Sequence, residues 1–175
     1  MRSCLVLPIA LVAIIAVVTP PLRAQDARSV QLYAGAGLEL VSTRDGSRFT
    51  PGPTLQFGLV RQVAGSRFAA RVDATYFQRD YTYTGNGYAT ALGASVGMMY
   101  DLGRSAWRPY VTSSLGMYVL SGAGERHRSG ALIGGLGLRG AIGKVPVFGE
   151  LRYHYFTNGQ GFGPHKLFLT FGIRF

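Results

Sequence analysis

Apolar and polar side chains alternate with a period of two in segment after segment of this chain, through to its last residue, Phe175. Period two is the pattern of a strand with one apolar and one polar face. In the first segment Val30, Leu32, Ala34, Ala36, Leu38 and Leu40 share one parity, opposite Gln31, Tyr33, Gly35, Gly37 and Glu39. A second sets Leu55, Phe57 and Leu59 against Thr54, Gln56 and Gly58. The third sets Phe68, Ala70, Val72, Ala74 and Tyr76 against Ala69, Arg71, Asp73, Thr75 and Phe77. In the fourth, Leu92, Ala94, Val96, Met98 and Tyr100 oppose Gly93, Ser95, Gly97, Met99 and Asp101. The fifth, from Pro109, places Val111, Leu115, Met117 and Val119 against Tyr110, Thr112, Ser114, Gly116 and Tyr118. The sixth, 131–142, is the least regular, and its Gly134-Gly135 pair marks a candidate bulge. The seventh sets Leu151, Tyr153 and Tyr155 against Phe148, Glu150, Arg152 and His154, and the eighth is the closing KLFLTFGIRF.

Eight strands leave seven connections, and these alternate in length. Long polar or Gly-rich loops are predicted at 41–53, 79–87, 120–130 and 158–165, with short turns near 64–66, 102–105 and 143–146. All long loops then emerge at one end and both termini at the other, the layout of an outer-membrane barrel. A soluble up-and-down barrel would show the same alternation with its faces exchanged. Three features argue for the membrane version. The polar parity is rich in glycine and serine, which suits a crowded lumen. It also carries few charges for a face in water. Finally, aromatic side chains gather at both strand ends: Tyr76, Tyr81, Tyr83, Tyr88 and Tyr155 toward the long loops, and Phe68, Tyr100, Trp107 and Phe175 toward the short turns. Two girdles of amphipathic rings match two membrane interfaces.

Composition sharpens this picture. Charged residues make up 15% of the 175 residues, against roughly 25% in soluble domains. The balance is basic, with a formal net charge of +10, and Lys144 and Lys166 are the only lysines. The N-terminus has a short basic start, an apolar stretch from Cys4 to Val18, and a Pro-containing breaker before Ala24. That is the layout of a secretory signal peptide over 1–24, leaving 25–175 as one barrel domain. Cys4 is the sole cysteine and lies in the leader, so the exported part has no disulfide and no thiolate metal ligand. His127, His154 and His165 are scattered and differ in parity, and no metal or other cofactor is expected. The predicted fold is thus all-β: an eight-stranded antiparallel up-and-down transmembrane β-barrel preceded by a cleaved signal peptide.

PYVTSSLGMY (109–118), VFGELRYHYFTNG (147–159) and LFLTFGIRF (167–175) resemble the small outer-membrane β-barrel family, of the outer membrane protein A transmembrane-domain-like and outer membrane protein X-like kind. In that family a final strand ending in an aromatic residue, with apolar residues at alternate positions, is read by the outer-membrane assembly machinery. The resemblance therefore implies that Leu167, Leu169, Phe171, Ile173 and Phe175 form an assembly signal, and that the chain resides in the outer membrane of a Gram-negative-type bacterium. Family members include wall anchors, adhesion or complement-evasion factors, narrow pores and lipid A enzymes, so one activity does not follow from the fold.

Candidate chemistry is sparse. Glu39, Arg71, Asp73, Arg139, Glu150, Arg152 and Arg174 fall on the lumen parity and are expected to form a charge network that plugs the barrel. With Ile142 opposite Val147 in a hairpin, Arg139 would face Glu150 in a salt bridge. A gate in a narrow passive pore is the alternative reading of those charges. HYFTNG (154–159) resembles the His-x-Ser-Asn stretch of outer-membrane lipid A deacylases, but aligning Thr157-Asn158 with Ser-Asn places Tyr155 where the base should be. His154 has the opposite parity and points to the lumen, so an enzymatic role is not expected. GLGLRG (135–140) has the spacing of a dinucleotide-binding loop but lies inside a strand. Arg44 and Arg48 in the first loop and Arg126 and Arg128 in the third are candidates for contact with lipopolysaccharide phosphates. The expected role is structural or surface-interactive, for a monomer whose partners are outer-membrane lipids, lipopolysaccharide and the assembly machinery, and not nucleic acid.

Overall fold

The computed structural model describes residues 30–42, 52–81, 87–122, 125–158 and 163–175. The proposed signal peptide, Arg44 and Arg48 lie outside the described residues. Eight strands run in sequence: β1 (Val30–Ser42), β2 (Pro53–Gln62), β3 (Phe68–Tyr81), β4 (Gly87–Asp101), β5 (Arg108–Gly122), β6 (Glu125–Ile142), β7 (Val145–Phe156) and β8 (His165–Arg174). Each pairs antiparallel with its neighbours, and β8 closes on β1 from Tyr33↔Arg174 to Ser42↔Lys166. The two edges that an open sheet of this order would present, on β1 and β8, are thereby removed. Past the end of β8, Phe175 is held by its backbone N–H, which donates to the Leu32 carbonyl at 2.8 Å.

The faces fall as their parity requires. Leu32, Leu38, Val72, Leu92, Val96, Leu115, Leu132, Leu136 and Phe171 are exposed on the outside, while Glu39, Arg71, Asp73, Glu150 and Arg152 are buried inside. Glycine on the inner face makes room for rings. Gly58, Gly93 and Gly137 each sit across the ladder from a tyrosine, Tyr33, Tyr118 and Tyr110. A Cβ at Gly93 would meet the Tyr118 ring at 2.2 Å, and one at Gly137 the Tyr110 ring at 2.1 Å. Such a tyrosine covers the gap its cross-strand glycine leaves.

Three expectations are corrected. Gly134 and Gly135 pair in unbroken register with both β5 and β7, so there is no bulge there. The ladder shifts instead between Glu39 and Val41, where β1 meets β8. Second, 120–130 is not a long loop: β5 runs to Gly122 and β6 starts at Glu125, with Gly122 opposite Glu125. The polar run Glu125-Arg126-His127-Arg128 reads as loop, yet the backbone pairs regardless of whether its side chains are apolar. Third, Ile142 pairs with Val145, not Val147. Gly143, at φ 61°, supplies the left-handed residue of a two-residue hairpin turn.

Candidate functional site

Among the described residues the buried charges lie in the lumen, and the strands stack them in layers. Along β3 the inward side chains run Ala69, Arg71, Asp73, Thr75, Phe77, Arg79. Near the short-turn end Tyr33, Val60, Ala69, Met99, Tyr110 and Phe148 form an apolar layer. Toward the long loops a second apolar layer gathers Phe77, Tyr118, Leu120, Ile133, Phe156 and Phe168.

Between these layers two arginines and two carboxylates sum to zero charge. Arg71 donates through Nε to Asp73 Oδ1 at 2.8 Å and through Nη1 to Glu150 Oε1 and Oε2 at 2.9 and 2.8 Å. Its Nε also reaches the Tyr33 hydroxyl at 2.9 Å, and its guanidinium lies 5.0 Å from the centre of that ring. Arg152 donates to Asp73 Oδ2 at 3.3 Å and lies 3.5 Å from Glu150 Oε1. Ser95 completes Asp73 at 3.2 Å, and the Tyr110 hydroxyl completes Glu150 at 3.0 Å. The Gln56 carboxamide, its oxygen turned to the guanidiniums, accepts from Arg71 and, at 2.7 Å, from Arg152. Glu150 and Arg152 are 2% and 1% exposed, so each charge depends on its partners rather than on water. Beside Arg71 and Glu150 the packing leaves a void of about 10 Å³, the room of a single water.

The seven predicted network residues do not form one cluster. Arg71, Asp73, Glu150 and Arg152 come together. Glu39 lies at the long-loop end, where its Oε1 accepts from Arg79 Nη2 at 2.9 Å and from Lys166 Nζ at 3.0 Å. Arg139 and Arg174 lie at the opposite mouth. The predicted Arg139–Glu150 salt bridge is absent: Arg139 faces Phe148 across the ladder and pairs with Asp101, while Glu150 faces Gly137 and pairs with Arg71. The two-residue shift of the β6–β7 register moves Arg139 along the ladder while keeping it inside. Arg174 donates to Gln31 Oε1. Arg79, Asp101 and Lys166 also belong to the inner face, each continuing the inward parity of its strand; Arg79 begins and Lys166 follows a stretch that reads as loop.

The deacylase-like stretch is not assembled. His154 is buried in the lumen, with Nδ1 3.3 Å from the Tyr118 hydroxyl and its ring 4.7 Å from that of Phe168. Thr157 is exposed and its hydroxyl donates to the Gly130 carbonyl at 3.2 Å. Tyr155 faces outward against the ring of His165, at 5.4 Å. Among the described residues no three His, Cys, Asp or Glu side chains converge as metal ligands.

Arg126 and Arg128 are exposed near the tip of the β5–β6 hairpin on the outward parity, while Glu125 contacts His127 at 3.0 Å instead of either arginine. Leu167, Leu169, Phe171 and Ile173 share the outer face of β8, where Phe171 is the most exposed, and Phe175 follows the strand; Lys166, Phe168 and Thr170 on the other parity are buried. In the girdle at the short-turn end, Phe68 and Tyr100 pair across strands with ring centres 4.7 Å apart. The side chains of Tyr81, Tyr83 and Tyr88 lie outside the described residues.

No family model and no curated protein matches the sequence. Solved structures do resemble the molecule. Neisserial surface protein A is 16% identical, with a TM-score of 0.61 over 83% of this chain and 94% of that one. The outer membrane enzyme PagL is 16% identical, with a TM-score of 0.53 over 82% of this chain and 97% of that one. The outer membrane protein Ail of Yersinia pestis is 11% identical, with a TM-score of 0.51 over 84% of this chain and all of that one (100%). Eight strands in up-and-down order, an apolar outer wall and a charged, filled lumen together have the fold of the small outer-membrane β-barrels.

Proposed function

We propose that the protein is a monomeric barrel of the outer membrane of a Gram-negative-type bacterium, with a structural or surface-contact role and no enzymatic one. The observation that carries this reading is the sorting of side chains: the outer wall is leucine, valine and methionine, and the strongest charges are inside and paired. A wall of that kind would be unfavourable in water and is favourable against hydrocarbon. The lumen is filled by two aromatic layers around a neutral ionic layer, which supports a plug rather than a pore.

Activity is then left to the long-loop end. Arg126 and Arg128, outward and free of Glu125, suit contact with lipopolysaccharide phosphates at the level of the headgroups. Leu167, Leu169, Phe171, Ile173 and Phe175 serve as the assembly signal. Planar-bilayer recording of the purified protein tests the plug. Wild type is expected to give no reproducible unit conductance; unit steps enlarged by Glu150→Ala would overturn the plugged reading in favour of a pore.

A further inference from the structure

The short-turn end of the barrel is strongly basic. Arg67, Arg104 and Lys144 stand on its turns, and Arg108, Arg139 and Arg174 line the mouth of the lumen. Among the described residues the acidic side chain that opposes them there is Asp101. Arg108 and Arg139 lie directly opposite each other on β5 and β6, an arrangement of like charges that is destabilising without a counter-charge. Asp101 pairs with Arg139, whereas Arg108 Nε donates only to the Ser105 carbonyl at 3.2 Å and Arg174 to the Gln31 amide. The three arginines line an open recess of about 270 Å³. Arg139 is 9% exposed, and its Nε has no partner.

A second feature meets this recess at the rim. Leu138, Gly149 and Phe171 form one cross-strand row on the outer wall, and the Phe171 ring leans over Gly149, where a Cβ would come within 3.1 Å of it. The apolar groove along that row has a volume of about 620 Å³ and reaches Trp107. Trp107 lies over Gly140, where a Cβ would come within 2.5 Å of its ring, and Gly140 itself borders the arginine recess. An anion site and an apolar channel thus adjoin on either side of one rim.

We propose that this end binds one anionic phospholipid of the leaflet facing the short turns, its phosphate among Arg108, Arg139 and Arg174 and an acyl chain in the groove beside Trp107. Guanidinium forks match phosphate oxygens, and the groove is what distinguishes a lipid from a free anion. The proposal rests on the membrane-barrel reading above.

Trp107 is the only tryptophan in the chain and reports on the site directly. The experiment uses protein refolded in zwitterionic detergent, with folding verified by faster gel migration before boiling. Phosphatidylglycerol or phosphatidylcholine carrying bromine on the acyl chain is then titrated, and quenching of Trp107 is followed. Phosphatidylglycerol is expected to reach half-quenching at about a tenfold lower lipid fraction than phosphatidylcholine, as charge-assisted contacts to phosphate imply. The double substitution Arg108→Gln, Arg174→Gln should remove that preference. Gly149→Leu, which displaces the Phe171 ring into the groove, should weaken quenching by both lipids and keep the order between them.

Equal half-points for the two lipids, or a preference that survives the double substitution, would overturn the proposal. So would displacement of phosphatidylglycerol by inorganic phosphate at equal concentration, which would assign the recess to a free anion. A barrel with no heat shift would overturn the membrane-barrel reading and this proposal together, whereas a shifted barrel without lipid preference overturns this proposal alone.

Discussion

Gly93 and Gly134 differ only in what a methyl group would meet. At Gly93 it would collide with the Tyr118 ring in the packed lumen; at Gly134 it would meet nothing within 4 Å, on the outer wall. Gly93→Ala should therefore cost about 1–3 kcal/mol, the range for overpacking, and Gly134→Ala should stay within about 0.5 kcal/mol. Urea unfolding in lipid vesicles measures both. Glu150 is the sharper case, because it anchors Arg71 and lies beside Arg152 in a layer with no room for water beyond a small void. Glu150→Ala leaves both guanidiniums short of a counter-charge and should cost about 3–5 kcal/mol in the same assay, with Glu150→Gln costing less. Alternation alone made the inward placement of these residues legible. It did not reveal that Glu150 pairs with Arg71, because residues 79 apart in sequence meet only through the closure of the barrel.

At the scale of the strand, parity is a strong signal and register a weak one. Sliding β7 by two residues against β6 keeps every side chain on its face, so the Ile142–Val147 and Ile142–Val145 pairings agree equally with the pattern. Only the turn distinguishes them, and Gly143 with its positive φ selects the tighter one. Strand ends were hidden for another reason. Above the apolar belt a strand has no lipid to face, so the alternation ends where the hydrogen-bond ladder does not, as in the Glu125–Arg128 stretch of β6. β3 offers the test of face. Val72 is half exposed on the outer wall and Thr75 is buried in the lumen. If Val72 lies near the midplane, Val72→Arg should cost about 2–4 kcal/mol, while Val72→Leu is expected to change stability by no more than about 0.5 kcal/mol. Thr75→Leu, forced into a filled interior, should cost about 1–3 kcal/mol. Equal responses to leucine at the two positions would mean that the faces are reversed.

For the whole molecule, the separation of charge and apolar surface is the feature that needs an environment. The barrel is inverted relative to a soluble one, with its ion pairs at the centre and its leucines outside. Closure of β8 on β1 completes that wall and makes the chain's last residues part of it. An intact barrel should therefore run faster on an unheated detergent gel than after boiling. Orientation follows from the even strand count, which puts the β5–β6 hairpin at one end and the β2–β3 turn, with the start of β1 and the end of β8, at the other. The sequence's only cysteine, Cys4, lies in the predicted leader, so a cysteine introduced elsewhere is a unique label once that leader is removed. Intact cells expressing Arg126→Cys or Ser66→Cys, treated with a membrane-impermeant maleimide, provide the most direct test. Label is expected on Arg126→Cys in intact cells, and on Ser66→Cys only after the outer membrane is permeabilised. Equal labelling of the two in intact cells, or labelling of Ser66→Cys alone, would contradict the account.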